Sequence, residues 1–234
     1  MSWFVRIDRY GSVHMVRSQD TVMNAGKDRS NSCGIASILM VNFKLKKHLL
    51  VTATGLSGAS GPVTAVPGRF TGAQLTRAAI DEAVKSEPEV YKIYTTVTGS
   101  VYDGSTYSDG MKFPAVLKKL NLGEWECVNV GQTGMFDAIR AATSAGAPVI
   151  VHCAWNGGGA HFMVVDETHT AVGSSICVCD PWDGELRLVG AQPGKAINYD
   201  PNAFVWSVSF GGNRHKYGSP SPGALSGWIV RKKH

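Results

Sequence analysis

Cys33 lies in Asn31-Ser32-Cys33-Gly34-Ile35-Ala36-Ser37-Ile38-Leu39-Met40, a polar turn that runs into an apolar stretch with helical spacing. Far downstream, His161 opens the strand-like run His161-Phe162-Met163-Val164-Val165-Asp166. Asp180 follows one more strand, just ahead of Pro181-Trp182. A thiol at a helix start, an imidazole at a strand start and an acid after the next strand, in that order, are the parts of a cysteine nucleophile. A free thiol with an ordinary pKa of about 8.5 is only a few per cent thiolate at neutral pH. A helix N-terminus and an imidazolium beside it both favour the thiolate. In such a site His161 takes or shares the thiol proton, and Asp180 orients the imidazole through its other nitrogen.

The elements that must carry these groups follow from the hydrophobic pattern. Trp3 to Val16 alternates as a strand pair that turns at Tyr10-Gly11-Ser12. Ile35, Ile38, Leu39 and Phe43 recur at helical spacing, so a helix is expected from Gly34 to about Phe43. Ser57 to Gly72, rich in Gly, Ser, Pro and Thr, reads as a mobile loop. A second helix is expected from a Thr71 cap to Lys85, with Pro88 ending it. Val90 to Gly110 mixes β-formers with Gly and Ser, a short helix spans Phe113 to Leu120, and a strand spans Trp125 to Val130. Gln132 to Gly146 forms a further helix.

Strands are expected at Val149–Cys153, Phe162–Val165, Ile176–Val178 and Leu186–Val189, with Ala203–Phe210 and Trp228–Val230 as later additions. If Phe162–Val165 pairs with Ile176–Val178 through the turn Thr168–Ser175, antiparallel geometry brings His161 close to Asp180. Helices before residue 146 and strands after it point to an α+β fold, with helices on one side of a mostly antiparallel sheet. One domain is expected: an extension at 1–32, a mainly helical part at 33–145 and a mainly β part at 146–234.

The chain has 234 residues, 44% of them hydrophobic and 18% charged, which describes a globular protein and excludes a disordered one. Part of the formal charge of +5 sits in the runs Lys44-Leu45-Lys46-Lys47-His48 and Arg231-Lys232-Lys233-His234, read as solvated surface. No basic stripe is interleaved with aromatics, so nucleic acid is not an expected partner. The N-terminus lacks the charged and apolar regions of a Sec signal, and no stretch reaches transmembrane length. The five cysteines are an odd number, which rules out a complete disulfide framework and suits a reducing compartment. Synthesis in the cytoplasm, leaderless export and no stable membrane insertion are the expectations.

Cys177 and Cys179, taken with His152 and Cys153, offer thiol and imidazole ligands. The two-residue spacing of structural zinc cysteines is missing, and adjacent His152 and Cys153 would point opposite ways on a strand. No metal and no cofactor are expected.

The segments Asn31-Ser32-Cys33-Gly34-Ile35-Ala36-Ser37, Trp155-Asn156-Gly157-Gly158-Gly159-Ala160-His161-Phe162-Met163-Val164-Val165 and Val178-Cys179-Asp180-Pro181-Trp182-Asp183-Gly184 resemble papain-like cysteine peptidases. Within that clan they are most similar to the bacterial C39-like group, which includes bacteriocin-leader peptidases and related secreted effectors. The resemblance covers Cys33 to Gly184. It implies a papain-like fold and peptide-bond cleavage through a thioester acyl-enzyme, with Cys33, His161 and Asp180 as the catalytic residues. It also implies a protein or peptide substrate and, for an effector or toxin, an inhibitor or immunity protein as partner.

The family places a glutamine about six residues before the cysteine as an oxyanion donor, and here that position is Lys27. The Cys33 backbone N–H remains, with Asn31, Asn24 or Gln19 as the second donor. Trp155, Gly158, Gly159 and Trp182 are the substrate-cleft candidates. The two tryptophans either narrow that cleft for a small residue or cover the end of the sheet. The same nucleophile also fits a peptidoglycan amidase or endopeptidase, or a protein deamidase or transglutaminase. A catalytically silent binding module is the alternative of a different class.

Overall fold

The computed structural model describes residues 3–19, 31–56, 72–101, 107–170, 173–203, 208–210 and 221–233. The carbonyl of Ser32 accepts the first helical hydrogen bond from Ala36 N (2.9 Å), so α1 (Cys33–Leu56) begins at the cysteine itself. Its buried face, with Ile35, Ile38, Leu39 and Val41, packs against α3 (Glu87–Thr98), α4 (Phe113–Lys119) and one side of the sheet. The helix runs well past the expected limit near Phe43 because polar side chains, which apolar spacing does not register, anchor the next turns. The Asn42 amide donates to the carbonyls of Glu82 (3.1 Å) and Ala83 (3.0 Å), satisfying the open end of α2 (Gly72–Ala83). Lys46 is buried, donating to Leu120 O (2.8 Å) and pairing with Glu82. The basic run at Lys44–His48 is therefore not simply solvated surface.

Pro88 starts a helix instead of ending one. It stands in the first turn of α3, where its missing N–H costs no hydrogen bond. The Glu89 carboxylate accepts from the Ser86 N–H (2.7 Å) and hydroxyl (2.6 Å) at that helix start, and Gly99 at φ 70° ends it. Val90, Tyr91 and Tyr94, read from sequence as β-formers, are buried on this helix, so packing overrides propensity. Of the expected loop at Ser57–Gly72, all but Gly72, the first residue of α2, lies outside the described residues, as does the Thr71 cap.

The strands are β1 (Trp3–Ile7), β2 (Val13–Arg17), β3 (Trp125–Asn129), β4 (Val149–Trp155), β5 (Ala160–His169), β6 (Ser175–Asp180) and β7 (Glu185–Gly190), then β8 (Asn198–Tyr199), β9 (Val208–Phe210) and β10 (Gly223–Lys232). The main sheet runs β3-β10-β4-β5-β6-β7, antiparallel throughout, with β8 beside β10. A smaller sheet, β2-β1-β9, is built on the N-terminal hairpin. The architecture is α+β, but helices cover both faces of the sheet. On the face opposite α1, Phe136, Ile139 and Ala142 of α5 (Met135–Ser144) pack on Val149, Val151, Met163 and Val165. Every residue of β6 is buried, so neither face of the sheet centre is left to water and one helical layer is not enough.

The turn from β6 to β7 sets the end of the strand that carries Asp180. Gly184 closes it by donating to Asp180 O (3.0 Å) at φ 72°, a conformation that side chains disfavour. A Cβ there would lie 2.4 Å from the Phe4 ring. Beside it, Arg6 of β1 forks onto Glu185 through Nε (3.2 Å) and Nη2 (3.3 Å), tying the hairpin to the turn. Gly184→Ala is expected to lower stability by about 2–4 kcal/mol, combining the left-handed backbone cost with overpacking against Phe4. The urea unfolding midpoint checks this, and an unchanged midpoint would contradict it.

Candidate active site

Cys33 can sit against the segment 107–113 only because Gly34 follows it. A Cβ on Gly34 would stand 2.2 Å from Ser108 Oγ and 2.5 Å from Phe113 Cζ, so a side chain there would push the first turn of α1 away. His161 and Asp180 come from adjacent antiparallel strands. The register pairs Val164 with Cys179 and Val165 with Val178, as the strand pattern suggested, and brings His161 Nε2 to 2.7 Å from Asp180 Oδ1. The Cys33 side chain is also close enough to His161 to favour its protonated form. With Nε2 committed to Asp180, the nitrogen left for the thiol is Nδ1. Cys33, His161 and Asp180 therefore form one continuous line, at 8%, 2% and 0% exposure.

Among the described residues the Asp180 carboxylate accepts four hydrogen bonds. Besides His161, its partners are Trp182 N (2.8 Å), Arg187 Nη1 (3.3 Å) and the Tyr199 hydroxyl. Arg187 also donates to both oxygens of Asp183, at 3.0 and 2.6 Å, and to Pro201 O (2.6 Å). Burial alone would raise the Asp180 pKa, but His161, Arg187 and Tyr199 bring it down to about 2. Burial alone would lower that of His161, but the Asp180 charge and hydrogen bond, with the Cys33 contact, push it up to about 10. The ionised carboxylate can only accept, so the Nε2–H donates. The result is an imidazolium whose second nitrogen faces the Cys33 sulfur.

Trp155 and Trp182 meet the histidine. Trp155 stacks on its ring (5.5 Å, 22°) and Trp182 stands edge-on (5.8 Å, 86°). Both shield the His161–Asp180 hydrogen bond from water, and neither is part of the cleft wall. The cleft beside Cys33 has a volume of about 660 Å³ and is walled largely by apolar groups, among them Met111, Cys127, Phe162 and Trp228. Gly159 lines it, whereas Gly158 shapes the tight turn between β4 and β5, at φ 89°.

Gln19 is buried, and its backbone N–H donates to Pro181 O (2.6 Å), which places it beside the turn carrying Asp180 and Trp182. Asn31 lies in the turn ahead of α1. Lys27 and Asn24 lie outside the described residues. The sequence reading missed the Tyr107–Met111 wall, Arg187 and Tyr199. Their roles arise from long-range contacts that leave no local pattern, although a charged residue inside the apolar run Leu186–Val189 was a usable sign.

Burial pushes Cys127 up to about 11 and Cys153 to about 12, and raises Cys177 and Cys179 as well. The Cys177, Cys179, His152 and Cys153 set considered for zinc is not assembled: Cys177 and Cys179 belong to the core on the α1 side of the sheet and Cys153 to the core on the α5 side.

These shifts carry a sign for stability. His161 is raised above 6.5, so its contribution is complete below that pH and is lost as pH rises through about 10. Asp180 is lowered from 3.8, so its contribution is present above that pH and is lost as pH falls through about 2. Imidazole NMR should show His161 protonated well above neutrality. Asp180→Asn removes the charge that opposes burial and should leave the ring neutral at neutral pH. A ring that stays charged in that variant would show that Asp180 does not set its protonation. The chain matches no family model and no curated protein, so its chemistry has to be read from this geometry.

Proposed function

We propose that the protein is a papain-like cysteine peptidase acting on a protein or peptide substrate. The reading rests on one observation: His161 bridges a thiol on the first turn of α1 and a buried carboxylate, at the edge of an apolar cleft that Cys33 itself lines. In this reaction the Cys33 sulfur attacks the scissile carbonyl carbon, and His161, holding the thiol proton, gives it to the leaving amine as the C–N bond breaks. Water then adds to the thioester with His161 as base, releasing the acid and restoring the thiol. Asp180 keeps the imidazole oriented and stabilises its charged form.

The oxyanion donors in this mechanism are the Cys33 backbone N–H and Gln19. Gln19 is supported by its attachment to Pro181, one residue from both Asp180 and Trp182. It reaches this place although it stands well upstream of the position a family glutamine occupies. The apolar wall at Met111, Phe162 and Trp228 suits a substrate with an apolar side chain near the scissile bond. Deamidation, transglutamination or peptidoglycan cleavage would use the same acyl-enzyme and would differ only in the products.

Iodoacetamide at pH 6 should label Cys33 faster than Cys127, and His161→Ala should remove that advantage. Cys33→Ala should abolish turnover of every substrate found by mass spectrometry of a peptide library and of purified peptidoglycan. A Cys33→Ala protein with full activity would sink the proposal. Gln19→Ala should lower kcat by about 100- to 1000-fold and leave the iodoacetamide rate unchanged.

A further inference from the structure

At the far end of β5 from His161, the hairpin β1–β2 folds over a second group of ionisable side chains. Val165 and Glu167 flank an irregularity in the β5–β6 pairing. A bulge of this kind re-aims side chains, and here both Asp166 and Glu167 reach the hairpin. His14 of β2 is 1% exposed, and its Nδ1 lies 2.8 Å from Asp166 Oδ1, whose other oxygen accepts from Lys44 Nζ (3.1 Å). Its Nε2 is buried with no hydrogen-bond partner among the described residues and faces Asp8 Oδ2 at 3.6 Å and Glu167 Oε2 at 3.9 Å.

Each of these three residues is held from behind. Asp8 Oδ1 accepts from the N–H groups of Tyr10 (2.8 Å) and Ser12 (3.0 Å), Glu167 Oε1 accepts from the Ser12 hydroxyl (3.0 Å), and Asp166 holds the Nδ1–H of His14. Facing inward are Glu167 Oε2, His14 Nε2 and Asp8 Oδ2, the last of which also accepts from His169 Nε2 (2.8 Å) and the Cys177 thiol (3.6 Å). An outer partner that fixes each ligand and turns its free atom inward is the arrangement found around bound metal ions.

We infer that Asp8, His14 and Glu167 form a binding site for a divalent transition-metal ion of the zinc type. Ligands about 2.0–2.3 Å from a central ion stand roughly 3.3–3.8 Å apart around a tetrahedron; the His14–Asp8 spacing of 3.6 Å falls within that range and the His14–Glu167 spacing of 3.9 Å just outside it. Hydrogen bonds do not explain them, since both are too long for one. Charge points the same way. Three carboxylates surround His14 and Lys44 pairs with only one of them, so a dication entering in exchange for the proton they favour on the imidazole leaves the group closer to neutral. Glu167 is 34% exposed and gives the ion a route in from solvent. His169, whose Nε2 is 2.8 Å from Asp8 Oδ2 and 3.9 Å from Glu167 Oε1, stands ready beside the ligands as a further donor. The bound ion would fasten the hairpin to β5. It is remote from Cys33 and independent of the peptidase reading.

The test is a cobalt(II) titration of the full chain carrying Cys33→Ala, so that the active-site thiol adds no binding. One equivalent should bind, with the visible absorption of a low-coordinate ion, and zinc should displace it. Glu167→Gln changes a partly exposed side chain without opening the core, and should weaken binding at least tenfold (about 1.4 kcal/mol). Asp166→Asn, which touches the site through His14, should weaken it by about 10- to 100-fold. Absence of saturable binding, or binding that both substitutions leave unchanged, overturns the assignment.

Discussion

Asp180 carries a full negative charge in a place no water reaches, and much of the molecule is arranged to make that tolerable. An isolated buried carboxylate would cost many kcal/mol and would take up a proton instead. Here it is held in a balanced quartet, with the charges of Asp180 and Asp183 set against those of His161 and Arg187. The Tyr199 hydroxyl and the Trp182 N–H occupy the remaining acceptor positions on the carboxylate. Each contributor comes from a different place in the chain: β5, β7, β8 and the turn after β6. Those elements must therefore be in register before the carboxylate is satisfied. Buried polar networks of this kind specify one arrangement because a partly formed network is worse than none.

The same burial gives the site its chemical bias. In a low-dielectric setting the His161–Asp180 attraction is strong enough to keep the imidazole charged despite its own desolvation. Trp155 and Trp182 maintain that setting by covering the ring on its face and edge. Their contribution to the proposed peptidase is thus electrostatic: they keep water from competing for the hydrogen bond that orients the histidine. The cleft is built from other material, the apolar wall around Met111, Phe162 and Trp228. Cys33 stands where the two regions meet.

The N-terminal hairpin, which from sequence looked like a mere extension, joins the two ends of the site scaffold. Arg6 grips Glu185 next to the Asp180 turn, Phe4 fills the space left by Gly184, and the residues after β2 lead directly to the Gln19–Pro181 hydrogen bond. Its tip carries Asp8 and reaches, with His14, the acids at the end of β5. Fixing the hairpin at its tip therefore also steadies the segment that approaches Asp180.

The alternation of β5 and β6, the apolar spacing after Cys33 and the order of thiol, imidazole and acid were legible because they are local patterns with a fixed period. Antiparallel pairing then sufficed to bring His161 toward Asp180. Other features had no local signature. The second helical layer over the sheet depended on both faces of β6 being buried. Pro88 could open or close a helix, and the capping contacts of Ser86 and Glu89 decided it. Arg187 and Tyr199 acquire their roles by converging on a charge from separate strands, and His14, Asp8 and Glu167 meet only because a bulge turns the end of β5. Periodicity along a chain fixes which face a residue occupies. Which residues from distant segments share a buried space is settled only when the charges and volumes in that space must balance together.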